Sequence, residues 1–411
     1  MKRSIWTLVS ITLGMLLLFI LSLMPSPGEV HAAPPEPAAS SATTYTYNSV
    51  ITVTSGTDPD DSKSKTCLSE PVCTLRRAIV QSRLLSPAQL PVLIRFDIPE
   101  SPGEGYDSTL DIWEIQVDNT TDLYAFRRLK EGVIIDGDTQ PGGRTDGPKI
   151  VIVGPGSGQK TGFVVGDIAT DNEIILRGLA LQNFKTHVYV NSDLNTIEDC
   201  WFGLSADGMS LTSGDIAEPE GGSAIAFSAG ADLNVIRRNR FAGFTGAALA
   251  VRGSENTVTG NWFGMRADGD VPIPAQFEQH PCKGSSTWAG GSGMTVEGDD
   301  HQIGGPNAAD GNRFAGLYLD IFETSEQPFA IQFTGATEDV LVQNNIIGLD
   351  GDDDPVGICG RGLKLSNGPE GTQVLDNVFV ETGLSAILLN RWTFNGNTLR
   401  GNTIRHTAAW P

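Results

Sequence analysis

The stretch Asn256-Thr-Val-Thr-Gly-Asn-Trp-Phe-Gly264 decides the fold, because its short strand, tight turn and Asn before a second strand recur along the chain. Seven such units lie between residues 186 and 404. Their first strands have apolar cores at Val188/Val190, Ile225/Phe227, Leu249/Val251, Met294/Val296, Ile331/Phe333, Leu363/Leu365 and Ile387/Leu389. About 12–18 residues later comes Cys200, Asn239, Asn261, Asn312, Asn345, Asn377 or Asn402. Short strands repeating at a minimum period of about 24 residues predict a solenoid.

The apolar residues alternate with polar ones in each unit, which predicts strands with one face in a core and one in solvent. Coils that stack in register place like residues above one another, about 4.8 Å apart. The repeated Asn residues are therefore predicted to form a structural ladder of amide hydrogen bonds rather than a row of ligands. Cys200 occupies the same position as a small substitute and is expected to remain a buried thiol.

The composition limits the classes of partner. The 411 residues carry a formal net charge of −21, which argues against nucleic acid because phosphate binding requires an excess of Lys and Arg. Divalent cations and neutral glycans stay open as ligands. The acidity also has a simpler explanation, which is that it keeps an exported protein soluble.

The N-terminus has the pattern of an export signal. Lys2 and Arg3 precede an apolar run over residues 5–23, and Val30-His31-Ala32 is a small-residue cleavage site. Residues 1–32 are therefore predicted to be a signal peptide, with an uncleaved membrane anchor as the alternative. Residues 33–48 are predicted to be a Pro/Ala/Ser-rich linker. The expected location is secreted or at the cell surface.

Residues 49–149 are predicted to form a capping module with the first coils, and residues 150–411 the repeats. Thr74 is the predicted N-cap of a short amphipathic helix that covers the open end of the first coil. Export to an oxidising compartment favours a local disulfide between Cys67 and Cys73 just before this helix. Pairing of Cys282 with Cys359, which lie in long loops, is left open.

Two further motifs carry a resemblance to a known family. The segment Cys67…Cys73-Thr-Leu-Arg-Arg-Ala-Ile79 resembles the C-S-L-R-E-A-I motif that opens a class of secreted bacterial right-handed parallel β-helix repeat proteins, of the pectate-lyase-like fold superfamily. Ile135-Asp-Gly-Asp-Thr-Gln-Pro-Gly142 is similar to their I-D-G-T-T-Q-P-G turn. Arg77 stands where that family has Glu, so the helix start loses one reciprocal capping bond. The resemblance implies an all-β, right-handed parallel β-helix with a cap containing one short α-helix, and a surface location rather than an activity.

Insertions enlarge four of the coils after the second strand. They cover residues 204–222, 265–290, 317–327 and 349–360, and they are expected to project from one edge of the solenoid. Binding at this edge is one interpretation, and neutral loop variation is the other. Within the longest insertion, Phe277, His280 and Trp288 are the predicted ligand-binding residues, since their rings could stack on a sugar. Packing of these rings on the solenoid wall is the alternative.

The last insertion contains four carboxylates, Asp350, Asp352, Asp353 and Asp354. Their oxygens are of the type that Ca²⁺ prefers, so calcium is the one candidate cofactor. The spacing is not that of an EF-hand, because Pro355 stands where that loop requires Gly. Asp-Gly pairs at the equivalent turns of other coils favour a simpler role in turn formation.

Two functions remain open from the sequence. The first is a non-catalytic protein that binds a polysaccharide or a surface protein along the inserted-loop edge. The second is a carbohydrate-active enzyme, a lyase, hydrolase or epimerase, which requires acids and bases together on one outer face. Outward residues such as Glu198/Asp199 and Arg237/Arg238 are not expected to converge on adjacent coils, which favours the first function.

Overall fold

The computed structural model describes residues 45–58, 65–117, 123–156, 160–166, 172–212, 222–271, 282, 290–318, 328–390 and 395–407. The predicted signal segment and most of the predicted linker lie outside these ranges. The regular structure of the described chain consists almost entirely of short strands, and these strands form three sheets that successive coils visit in the order A, B, C. No helix in the ranges given is long and apolar enough to cross a membrane.

Sheet A contains 11 parallel strands. They are Ser49–Val53, Val92–Phe96, Val133–Asp136, Ile175–Arg177, Thr196–Glu198, Val235–Arg237, Thr257–Thr259, Gln302–Gly304, Leu341–Gln343, Gln373–Leu375 and Thr398–Arg400.

Sheet B also contains 11 strands, of which all but the first pair are parallel. They are Tyr106–Asp107, Ile112–Gln116, Ile150–Val153, Leu179–Gln182, Trp201–Phe202, Arg240–Phe241, Trp262–Phe263, Arg313–Phe314, Ile346–Ile347, Val378–Val380 and Thr403–Arg405.

Sheet C contains eight parallel strands. They are Thr161–Val165, Thr186–Val190, Ser223–Phe227, Phe244–Val251, Gly290–Val296, Phe329–Phe333, Arg361–Ser366 and Ile387–Asn390. Because each strand pairs with the equivalent strand of the next coil, the predicted architecture is confirmed. The fold is a right-handed parallel β-helix.

The core follows from in-register stacking of like side chains. The first apolar residue of each repeat pairs with its counterpart in the next coil, as Val188 does with Ile225 and Ile225 with Leu249. In sheet B the rings of Phe202, Phe241, Phe263 and Phe314 stack with centroids 5.2, 4.7 and 4.5 Å apart. These separations are close to the distance between paired strands, so one aromatic column fills the interior behind sheet B.

The predicted Asn ladder is present at the corner between sheets A and B. Asn239 donates from Nδ2 to Asn261 Oδ1 at 3.1 Å, and Asn261 donates to Asn312 Oδ1 at 2.9 Å. The same bond continues to the last described coil, through Asn345, Asn377 and Asn402. Cys200, a buried free thiol as expected, begins the column by donating its backbone N–H to Asn239 Oδ1.

A second ladder, which was not predicted from the sequence, lies at the corner before sheet A. Asn195 donates from Nδ2 to Asn234 Oδ1 at 2.8 Å, and Asn234 donates to Asn256 Oδ1 at 3.0 Å. The next position is His301, whose Nδ1 accepts the backbone N–H of Asn256 at 3.1 Å. The residues just before the ladder positions, such as Leu233 and Glu255, have positive φ, so the ladder amides hold sharp corners in place.

The N-terminal cap contains the single described α-helix, α1, at Leu75–Ser82. Thr74 accepts the backbone N–H of Arg77, as its predicted role as N-cap requires. The buried face of α1 packs on the first strands of sheet A. Arg77, the residue that departs from the family motif, donates instead to the Val72 carbonyl at 2.7 Å and so holds the loop closed by the Cys67–Cys73 disulfide.

Short 3₁₀ turns complete the regular structure, at Pro87–Gln89, Pro102–Glu104, Gly137–Thr139 and Ala308–Asp310. Sheets A and B continue without interruption across the predicted boundary between residues 149 and 150. The cap and the repeats therefore share the same sheets.

Candidate functional site

A row of alternating charges runs along the outer face of sheet A. Parallel pairing places Arg95 beside Asp136, Asp136 beside Arg177, Arg177 beside Glu198, and Glu198 beside Arg237. Each of these residues ends or nearly ends its strand, where the side chain points away from the core. The register of the coils thus brings together residues that are far apart in sequence. We call these five residues the charge row.

Arg177 lies at the centre of the charge row among four carboxylates. Its guanidinium is 3.5 Å from Asp136 Oδ2 and 3.2 Å from Asp138 Oδ2. It is also 3.7 Å from Glu198 Oε1 and 3.5 Å from Asp199 Oδ2. Because the residue is buried, these carboxylates replace the water that would otherwise solvate the charge.

Glu198 is fully buried although it belongs to the outer face. Arg237 Nε lies 2.5 Å and an amino nitrogen of Arg238 lies 2.8 Å from Glu198 Oε2. The Tyr45 hydroxyl, from the segment before the first strand, donates to Glu198 Oε1. Tyr45 thus reaches from the N-terminal end of the described chain to the fifth strand of sheet A.

The environment shifts the pKa of several of these groups. Burial raises the pKa of Asp136 to about 6, although Arg177 opposes the shift. Burial likewise raises the pKa of Asp138. The pKa of Tyr45 is raised by burial and then by its bond to Glu198, so the hydroxyl keeps its proton. The bond to Asp199 raises the pKa of Arg238. The Asp136 carboxyl therefore keeps its proton to a higher pH than an ordinary aspartate does, because its pKa is raised.

The expectation that Glu198/Asp199 and Arg237/Arg238 do not converge is wrong. Insertions of unequal length separate these residues in sequence, and only the strand register shows that they are neighbours. Their chemistry, however, is that of an ion-pair network, because every carboxylate faces at least one guanidinium. A substrate oxygen has no open approach to Glu198 while Tyr45 and the arginines cover it.

The inserted loops form a second candidate site at the corner between sheets B and C. Three of them begin with a short hairpin, closed by Leu204 and Leu211, by Arg266 and Asp270, and by Leu349 and Pro355. The hairpins also bond to one another, since Ala267 donates to the Gly208 carbonyl and Gly351 to that of Gly269. We call these three hairpins, residues 204–211, 265–271 and 349–355, the hairpin layer. It lies on one edge, as predicted, for the described parts of three of the four insertions.

Tryptophans of sheet B support the hairpin layer from below. A Cβ added to Gly208 would lie 2.6 Å from the Trp201 ring, and one added to Gly269 would lie 3.2 Å from the Trp262 ring. Arg144 covers Trp201 with its guanidinium 4.9 Å from the ring centroid, and Arg240 covers Trp262 at 4.0 Å. Each tryptophan ring therefore packs between a hairpin glycine and an arginine guanidinium, and this packing holds the hairpins in place.

The longest insertion is tied to this edge by a disulfide between Cys282 and Cys359, the pairing that the sequence left open. Both cysteines are buried against Tyr318, and burial raises the pKa of that tyrosine. The predicted ligand-binding residues Phe277, His280 and Trp288 lie outside the described residues. The disulfide nevertheless fixes Cys282, which stands between them in sequence, beside the last hairpin.

The four aspartates of the last hairpin do not assemble as the predicted calcium site. Asp350 accepts the backbone N–H groups of Asp352 and Asp354 at 3.1 and 2.9 Å, so its carboxylate closes the turn. Asp353 forms an ion pair with Arg313 at 2.8 Å. In the part of the chain that the structure describes, no three His, Cys, Asp or Glu side chains are grouped to hold a metal ion. The geometry favours the turn interpretation.

Comparison with known proteins adds little beyond the architecture. No family model and no curated protein matches the chain. Among solved structures it is similar to pectate lyase Pel9A, with a TM-score of 0.35 and 10% identity over 88% of this chain and 80% of that one. It is also similar to the DFA-IIIase from Arthrobacter chlorophenolicus A6 without its lid, with a TM-score of 0.31 and 15% identity over 80% of this chain and 95% of that one. Likenesses this distant do not bear on activity.

Proposed function

We propose that the protein is exported and acts outside the cytoplasm as a non-catalytic β-helix that binds a glycan, or otherwise a surface protein, along the hairpin layer. The observation that carries this proposal is the mutual hydrogen bonding of the three hairpins on one edge. Loops that vary neutrally have no reason to pair with one another across coils. A rigid shared platform is what recognition of an extended partner requires.

The platform suits an extended partner because its parts repeat. The hairpins belong to the coils of Trp201, Trp262 and Ile346, and the coils of Arg240 and Arg313 intervene. Successive hairpins are therefore two coils, or about 10 Å, apart along the solenoid axis. A polymer lying along the axis would meet equivalent groups at each step.

The outward side chains of the layer are acidic, which defines the partner further. The side chains of Asp207, Asp352 and Asp354 are exposed, in addition to Asp270 and Asp353, which are paired with Arg266 and Arg313. An acidic platform repels polyanions and accepts neutral hydroxyl-rich chains or basic surfaces. The aromatic residues Phe277 and Trp288 of the disulfide-anchored insertion supply the stacking component of the proposal.

A glycan array with the exported chain tests this proposal. Replacement of Trp288 and Phe277 by Ala is expected to abolish or strongly weaken the signal, and Cys359→Ser to weaken it by releasing the anchored insertion. Tyr124→Ala, which removes an exposed aromatic ring outside the hairpin layer, is the matched control and should leave binding unchanged. Unaltered binding by the Trp288→Ala, Phe277→Ala double variant would contradict the hairpin-edge proposal.

A carbohydrate-active enzyme is the second candidate, and the charge row is the observation that favours it. A carboxyl whose pKa is about 6 beside an arginine has the proton affinity of a general acid. Catalysis there requires Tyr45 to leave Glu198. Incubation with pectate and alginate, with and without calcium, would show new reducing ends or unsaturated products if this candidate is correct.

A further inference from the structure

An open pocket of about 400 Å³ lies at the capped end of the solenoid, and its lining shares no residue with the charge row or the hairpin layer. Its floor is the outer face of the sheet B strand Ile112–Gln116, where Glu114 and Gln116 point outward. Its walls are two loops, one containing Gly56 and Thr57 and the other Gly103 and Gly105. The volume is in the range of small-ligand sites and suits one or two sugar rings.

The two walls are fixed to each other and to the floor. The backbone N–H of Gly56 donates to Glu104 Oε2 at 2.9 Å, which joins the walls. Glu114 donates its backbone N–H to the Gly105 carbonyl at 2.8 Å, which joins the floor to one wall. The pocket is therefore a preformed feature of the cap rather than a gap between independent loops.

The lining chemistry narrows the class of ligand. Of the residues that the structure describes, none with an aliphatic or aromatic side chain lines the pocket, so an apolar ligand would gain little from them. Among those described residues the lining includes no Lys or Arg either, which gives an anion no partner there. Asp58 is already paired with Arg76, with its Oδ1 2.9 Å from Arg76 Nε.

Glu114, Gln116 and the Thr57 hydroxyl are the polar side-chain groups left to meet a ligand, and the first two lie on the floor. Gln116 Nε2 lies 3.2 Å from Glu114 Oε2, so the amide and the carboxylate stand side by side on the open floor. Across the described chain, Glu114 forms no ion pair with a basic side chain. A carboxylate and an amide in this arrangement accept and donate hydrogen bonds to neighbouring hydroxyls, and the carboxylate bonds are the stronger ones.

We propose that this pocket binds a neutral, hydroxyl-rich saccharide unit, with Glu114 accepting from ligand hydroxyls and the Gln116 amide completing the contact. The site is independent of the proposed hairpin-edge function, because the two share no residue. The floor of the pocket belongs to the outer face of sheet B, which continues along the solenoid. A longer glycan bound in the pocket could therefore extend along that face.

The glycines of the walls supply a sharp test. A Cβ added at Gly105 would lie 2.1 Å from the Glu114 carbonyl oxygen, so that position tolerates no side chain. A Cβ added at Gly103 would meet only Ser101 Oγ, at 3.8 Å, and would project into open space. Gly103→Leu therefore fills the pocket without disturbing the walls. Gly230→Leu is the matched control, because a Cβ there meets nothing within 4 Å.

The experiment measures binding of cellobiose, lactose and di-N-acetylchitobiose, and of digalacturonate as the acidic probe, by calorimetry with the full chain. At least one neutral probe is expected to bind, with the affinity reduced at least about tenfold in Gly103→Leu and in Glu114→Gln. Gly230→Leu and the Phe277→Ala, Trp288→Ala variant should bind as the wild type does, and all variants should melt at the wild-type temperature. The proposal is overturned if no neutral probe binds, if digalacturonate binds equally well, or if both pocket variants keep the wild-type affinity.

Discussion

Replacement of Asn312 by Leu tests how much the first Asn ladder contributes to the free energy of unfolding. Asn312 is fully buried and lies near the middle of the column. Its Oδ1 accepts from the backbone N–H of Asn261 at 3.0 Å and from Asn261 Nδ2 at 2.9 Å. Its Nδ2 donates to the Val258 carbonyl at 2.8 Å and to Asn345 Oδ1 at 2.9 Å. Leu has the same branched arrangement of four side-chain heavy atoms, so the change removes hydrogen bonds without opening a cavity.

The cost can be worked out group by group. The Asn261 amide keeps other acceptors, at Ile236 and Thr259, and Asn345 Oδ1 keeps the backbone N–H of residue 312. The backbone N–H of Asn261 and the carbonyl of Val258 lose these side-chain partners in a buried place. At about 1–3 kcal/mol for each unsatisfied buried group, plus the net value of the lost bonds, we expect a loss of about 3–5 kcal/mol.

Urea unfolding followed by circular dichroism measures this loss, and Asn402→Leu is the matched control. Asn402 makes the same contacts to Asn377 and Val374, but it is only partly buried in the last described coil. Water can reach the groups it would orphan, so its loss is expected to be about 1 kcal/mol. A loss below about 1 kcal/mol for Asn312→Leu, or equal losses for the two variants, would refute the ladder as a major source of stability.

Three further changes probe the corners and the charge row. Burial lowers the pKa of His301 from 6.5, so the unfolded chain takes up the proton first and stability should fall as the pH drops below 6.5. His301→Asn, which continues the second ladder, should remove that part of the pH dependence. Melting temperatures of both proteins measured across the pH range check this. The same dependence on pH in both proteins would contradict it. Cys200→Asn should extend the first ladder and leave the melting temperature equal or higher, whereas a marked fall would show that the site cannot accept an amide. Glu198→Gln should cost about 2–3 kcal/mol in urea unfolding, at the lower end for a buried pair because Arg237 and Arg238 are about one-third exposed; an unchanged stability would mean that the charge row does not hold the outer face of sheet A.

The features predicted from sequence are those that repeat at every coil. Val188, Ile225 and Leu249 share one residue class, and Asn239, Asn261 and Asn312 share one residue type, so the repeat is visible without any knowledge of register. The second ladder escaped because its members differ, with His301 in a column of Asn195, Asn234 and Asn256. The polar residue just before each short sheet A strand was the signal that could have shown it.

The charge row was not predicted from the sequence, for a different reason. Asp136, Arg177, Glu198 and Arg237 are 41, 21 and 39 positions apart in the sequence, because loops of unequal length intervene. Their proximity follows only when each strand is aligned to the next by its buried residues. The aspartates after Leu349 show the converse. They are close in sequence and were therefore predicted to bind one calcium ion together, but they do not share a ligand position. Instead, the Asp350 carboxylate accepts hydrogen bonds from backbone N–H groups of the turn, and Asp353 forms an ion pair with Arg313.

The extent of a hairpin along the solenoid axis explains why the inserted loops form hydrogen bonds with one another without a steric clash. A coil rises about 4.8 Å, whereas a hairpin lying on the wall is two strands thick and needs about twice that height. Hairpins in adjacent coils would collide, and hairpins in alternate coils meet edge to edge, as the bond from Gly351 to Gly269 shows. The intervening coils contribute Arg240 and Arg313, which fill the space beneath the layer. Under the proposed function, a partner would therefore meet the hairpin layer at every second coil. Changing the length of a single insertion should then alter one contact in the series while the solenoid beneath it continues unchanged.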